Sequence, residues 1–204
     1  MLTVKRFTTP SYAQWEMAIM GMRNPMNSWA KMDSKGSELG ENDLNLMQRL
    51  CEAGSEHRKY MRMLPVTLEI CAPLYWWKEA DTYKYMDFNS QSTIHKLTSR
   101  NFCMEDFSTE HLDDYCKEWL EDFVYVLNSQ RIKYVRSRDK NDWWHIIQLL
   151  PSSYNQTRTV YTNYETLLQI KRQRTGHKLD EWKQLIDIID ELPNFKRITE
   201  GVTK

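Results

Sequence analysis

The chain has 204 residues, and its 28 basic and 28 acidic side chains leave no net charge at neutral pH. Neutrality argues against general nucleic-acid binding through a basic field, and no apolar run approaches the ~20 residues needed to span a membrane. The length suits a full hydrophobic core, so residues 1–204 are expected to form a single domain.

Tyr12 to Met20 reads as a short helix, and DSKGSELGE at 33–41 as a flexible loop. Asn42 or Asp43 can cap a helix through LNLMQRLCEA, which Gly54 is placed to end. In MLPVTLEICAP, Val66, Leu68 and Ile70 alternate with Thr67, Glu69 and Cys71, the period of a half-buried strand. Pro73 can open a short helix through YWWKEADTYK. A long helix is expected from Ser108 or Thr109 to Leu127, with Leu112, Tyr115, Trp119, Leu120 and Phe123 on one face. The basic stretch RIKYVRSRDK at 131–140 then leads into WWHIIQLLP, and Thr162 is expected to cap a helix through Arg174. The tail LDEWKQLIDIIDEL carries Leu179, Trp182, Leu185, Ile186 and Ile189 on one stripe.

Four cysteines without CxxC spacing read as isolated thiols in a reducing cytoplasm rather than as a disulfide scaffold or a zinc site. The five histidines have no metal-ligand spacing, and there is no Gly-rich phosphate loop, HExxH or GxSxG. Eight Trp and eleven Tyr exceed what one small core readily absorbs, and suit either core packing or stacking on ligands and subunits.

The chemistry concentrates in two places. YMDFNSQSTIHKL at 85–97 places Asn89, Ser90, Gln91, Ser92 and Thr93 in succession. Backbone N–H groups and hydroxyls in such a segment can cradle a phosphate, and the same residues equally suit a polar surface turn. Downstream, Asn163 and Arg174 recur on one face of a helix. An amide and a guanidinium there suit a planar heterocycle or a phosphate, or simply a solvated face.

The order of these parts resembles the flavin-dependent thymidylate synthases, also called thymidylate synthase complementing proteins. That family carries R-H-R-x-x-S-x-N-x-x-S-x-R after a strand and an Ala-Pro turn. Here Ala72-Pro73 is followed by Thr82-Tyr83-Lys84, Asp87, Asn89, Ser90, Ser92 and Ile94. GSEH at 54–57 resembles the family's Gly-His-Glu segment, and Leu150-Pro151, Asn163, Arg174, His177 and Trp182 resemble its C-terminal half. The resemblance covers roughly residues 15 to 190. Departures fall where the family has Arg-His-Arg (now Thr82-Tyr83-Lys84), an acidic residue (Ser90) and arginines (Ile94 and Ile147).

The resemblance implies an α+β fold of helices packed with a small sheet, assembled as a homotetramer with sites between subunits. It implies dUMP stacked on FAD, with methylenetetrahydrofolate and NADPH as co-substrates and no protein nucleophile. By carry-over, Glu79, Ser90, Gln91, Ser92, Thr93, His95 and Arg174 would face the nucleotide. Thr82, Tyr83, Lys84, Asn89, Asn163 and Gln169 would face the flavin. The alternative that this reading leaves open is a nucleotide-binding homologue that has lost synthase activity.

Overall fold

The structure, a computed structural model, describes residues 1–201. Its centre is a four-stranded antiparallel sheet in the order β1-β2-β4-β3, formed by β1 (Thr3–Thr8), β2 (Pro65–Pro73), β3 (Asp87–Ser90) and β4 (Asn155–Asn163). β2 follows the expected alternation: Val66, Leu68, Ile70 and Ala72 are buried, while Thr67, Glu69 and Cys71 face outward and are half-buried. Burying each such aliphatic side chain contributes roughly 1.5–3 kcal/mol, which ties β2 firmly to the helices beneath.

α1 (Tyr12–Arg23), α2 (Glu41–Glu52), α3 (Leu74–Ala80), α6 (Tyr164–Arg174), α7 (Asp180–Glu191) and α8 (Phe195–Thr199) pack on the inner face of the sheet. Trp15, Trp76, Trp77 and Trp182 lie fully buried among them, so half of the eight tryptophans are core residues. α4 (Asp114–Ser137) and α5 (Lys140–Leu149) pair as a hairpin over a second apolar cluster that includes Phe102, Phe107, Leu127, Ile146 and Tyr154. No helix among the described residues is long and apolar enough to cross a membrane.

Several boundaries differ from expectation. α2 starts at Glu41 after Gly40, because the Asp43 side chain is turned inward to pair with Arg23 instead of capping. α4 starts behind Asp113, whose Oδ1 accepts from the Cys116 N–H at 2.8 Å. Ser108 is unavailable as its cap, since its Oγ donates to Asn155 Oδ1 and its N–H is bonded to Ser153 O. The helix then runs through Ser137, absorbing most of the basic stretch, until Arg138 ends it in the left-handed region at φ 58°.

β4 is the largest departure, a strand where the sequence suggested only an approach to a helix. Its inward positions are Gln156, Arg158, Val160 and Thr162, so aliphatic alternation is nearly absent. These polar groups find partners instead. Gln156 Nε2 donates to Gln91 O at 2.7 Å and Thr162 Oγ1 to Tyr85 O at 3.2 Å. Arg158 lies 4.4 Å over the Trp77 ring and donates to Asp81 at 2.6 Å. α6 is capped by Asn163 rather than Thr162, its Oδ1 accepting from the Thr166 N–H at 3.0 Å.

Candidate functional site

The end of α6, the end of α3 and the start of α7 converge on Glu79. Leu167 and Ile170 bury the face of α6 that Arg174 shares, which carries the guanidinium inward at the last turn. Arg174 Nη1 donates to Glu79 Oε2 at 2.7 Å and Nε donates to the Tyr83 hydroxyl at 2.8 Å. Trp182 Nε1 donates to the same Glu79 oxygen at 2.9 Å, and the guanidinium carbon sits 4.5 Å over the Trp182 ring. His177 closes the group, with Nε2 3.1 Å from Arg174 Nη1 and 3.5 Å from Glu79 Oε2.

Three residues expected at the nucleotide or flavin, Glu79, Tyr83 and Arg174, are thus brought together across 95 positions of sequence. His177 and Trp182 join them. The sequence signal for those two was only their place shortly after Arg174. Glu79 and Arg174 are partly exposed, and among the described residues nothing bonds Glu79 Oε1 or Arg174 Nη2. The cluster therefore still has one carboxylate oxygen to accept and one guanidinium nitrogen to donate.

The segment after β3 forms a second group. Gln91 is tied to β4: its N–H donates to Thr157 O at 2.9 Å and its O accepts from Gln156. Ser92 Oγ accepts from the N–H groups of Ile94 (3.3 Å) and His95 (2.9 Å), so this hydroxyl and these two amides hold the turn itself. Thr93 is half-buried, while Ser90 and His95 are exposed. Beyond the turn lies a hollow of about 330 Å³ lined by Ile94, His95, Tyr134, Arg138, Lys140 and Trp143. Trp143 Nε1 donates to Ile94 O at 3.4 Å, and Arg138 stacks 5.7 Å over Tyr134. The basic stretch and the paired tryptophans, separate features in the sequence, meet here because α4 and α5 fold back on each other.

The remaining expected residues are spread out. Asn163 spends its side chain on the α6 cap, and Thr82 Oγ1 donates to Glu79 O at 2.7 Å. Lys84 and Gln169 are exposed. Asn89 lies on the outward face of the sheet, where Glu69, Asn89, Ser90, Gln91, Thr157 and Thr159 line a shallow groove of about 440 Å³. The Tyr161 ring stands on the same face, 53 % exposed.

The small antiparallel sheet covered by helices on one face is a fold shared with solved flavin-dependent thymidylate synthases. The chain superimposes over its full length on flavin-dependent thymidylate synthase ThyX from Helicobacter pylori complexed with FAD and dUMP, with a TM-score of 0.70, 19 % identity and 99 % of that chain covered. A second structure of the Helicobacter pylori protein with FAD and dUMP gives a TM-score of 0.69 at 19 % identity and the same coverage. No protein-family model matches the chain, and neither does any curated protein.

Proposed function

We propose that the protein binds a pyrimidine nucleotide and FAD at sites shared between subunits of a homo-oligomer, and performs thymidylate-synthase-type chemistry. A one-carbon unit from methylenetetrahydrofolate would be placed on C5 of dUMP, with NADPH as the source of reducing equivalents. The observation that carries this reading is the bonded cluster of Glu79, Tyr83 and Arg174 within a fold that, in the Helicobacter pylori protein, is complexed with FAD and dUMP. A free carboxylate oxygen and a free guanidinium nitrogen match the imide edge of uracil, whose N3–H donates and whose carbonyls accept.

FAD fits the residues present in part. Asn163 and Thr82 are engaged within the chain, but Lys84, Asn89 and Gln169 are open to solvent. The exposed Tyr161 ring on the polar sheet face offers a planar surface of the kind an isoalloxazine stacks on. Bound there, the flavin would supply the electron transfer, while the chain's own residues bind, orient and screen the nucleotide from water.

A second reading, a nucleotide-binding homologue without synthase activity, is favoured by one feature: Arg174 is already neutralised by Glu79, and Ile94 and Ile147 supply no charge. Reconstitution decides between the two. Purified protein that turns yellow with FAD and forms dTMP from dUMP, methylenetetrahydrofolate and NADPH supports the enzyme. Binding of dUMP without turnover supports the homologue, and binding of neither ligand refutes both.

A further inference from the structure

The hollow between the turn at 92–95 and the α4–α5 junction has the makings of an anion site, and of the residues that the resemblance assigns only His95 lines it. Its basic side chains come from two elements: His95 from the turn, and Arg138 and Lys140 from the junction. Among the described residues no carboxylate lies within 4 Å of any of the three. The neighbouring acids are committed elsewhere. Asp139 Oδ1 accepts from the Asn141 N–H at 2.7 Å to cap α5, and Asp142 is held by Lys133 at 2.7 Å and Ser137 at 2.6 Å. Arg138 adopts its left-handed conformation as the residue that ends α4, so its position is set by the backbone as well as by stacking on Tyr134. The Trp143 ring walls the hollow on one side, so its indole N–H reports on what enters.

We propose that this hollow receives the phosphate of a nucleotide, with Arg138 and Lys140 supplying the charge that Ile94 does not and His95 offering a ring N–H. The proposal rests on the nucleotide reading of the preceding section, but it assigns the phosphate end to a helix junction rather than to the turn alone. The turn is a poor cradle by itself, because the Ile94 and His95 amides already donate to Ser92 Oγ. Guanidinium and ammonium groups together give both a planar fork and a mobile point charge, a combination suited to a monoester dianion.

The indole N–H signals of Trp143 and Trp182, assigned through Trp143→Phe and Trp182→Phe, report the hollow and the Glu79 cluster separately. The probes are dUMP, deoxyuridine and inorganic phosphate. We expect dUMP to move the Trp143 signal and deoxyuridine to leave it in place. The double variant Arg138→Asn, Lys140→Gln should weaken dUMP binding by at least about tenfold, since charge-assisted bonds of this kind contribute more than a decade each. Asn tolerates the left-handed helix end, so the fold is preserved. If dUMP moves Trp182 alone and the double variant binds it as the parent does, the phosphate assignment fails while the nucleotide reading stands. If dUMP moves Trp143 and never Trp182, the assignment stands and the base end of that reading fails. Silence of Trp143 towards both dUMP and phosphate overturns the assignment outright.

Discussion

Glu79 holds Arg174 by its head group, and this contact governs what either residue can offer a ligand. Replacing Glu79 with Gln keeps an acceptor for Trp182 but removes the charge that neutralises the guanidinium. Glu79→Gln also puts an amide NH2 where the free carboxylate oxygen would accept the uracil N3–H, so it is expected to weaken dUMP binding, as is Arg174→Ala, the latter by about 1.5–3 kcal/mol, the range for charge-assisted bonds. Calorimetry on the two variants and the parent tests both losses, and unchanged affinity in either variant removes that residue from the nucleotide site. A different pair governs stability. Arg23 and Asp43 are buried together, 2.6 Å apart, under α1 and α2. Burial pushes the Asp43 carboxyl up, but bonds from Asp33, Ser34 and Arg23 outweigh it and hold its pKa below the ordinary 3.8. A depressed carboxylate pKa stabilises the fold above the unfolded value, and that contribution is lost as pH falls through the lower folded value. Acid titration by circular dichroism should accordingly show the Asp43 contribution intact at pH 5 and disappearing below about pH 4. Asp43→Asn strands the Arg23 charge, and urea denaturation should show a loss of about 3–5 kcal/mol.

At the scale of elements, two caps carry the segments that frame the candidate site. Asn163 joins β4 to α6, and Asn163→Ala should cost about 1 kcal/mol in thermal or urea unfolding through loss of the Thr166 N–H acceptor. Ser92→Ala releases the Ile94 and His95 amides together. Hydrogen exchange should then speed up at those two positions while β2 amides stay protected. Elements with a clean apolar period were legible in the sequence: β2 and α7 follow their stripes, whereas on α4 the expected face is not the buried one, since Tyr115 and Trp119 are exposed, Leu112 precedes the helix, and Leu120, Val124 and Leu127 form the buried row. β4 was not, because three of its four inward side chains are a glutamine, an arginine and a threonine whose partners, Gln91, Asp81 and Tyr85, lie far away in sequence and are invisible to any local pattern. Arg174 and Glu79 were each nameable in the sequence, but their mutual bond depends on α3 and α6 meeting across the core. The hollow beside His95 was illegible for a related reason, since the helix hairpin alone unites residues 94–95 with 134–143.

Across the whole molecule, the Glu79 cluster and the turn beyond β3 form two groups with no hydrogen bond between them among the described residues. α4 also keeps a bare apolar stripe. Tyr115 and Trp119 are 77 % and 61 % exposed, Val126 shares their face, and the Trp119 and Phe123 rings stack at 5.5 Å. We expect light scattering to give a tetramer of the 24.6 kDa chain, and Trp119→Asp to shift it towards smaller species. A monomeric parent at micromolar concentration would refute the shared-site reading. The crowded indoles have a separate, optical consequence. Trp76 lies 4.7 Å from Trp77 and 4.8 Å from Trp182 at steep mutual tilts, and Trp143 lies 4.7 Å from Trp144. Transition dipoles this close and this inclined mix into excitons, and their paired lobes of opposite sign fall within the wavelengths used to gauge helicity. Far-ultraviolet spectra of this protein will therefore misstate its helix content. Trp76→Phe should change that apparent content by deleting the central member of the buried trio, although the residue it replaces contributes only one position to a helix.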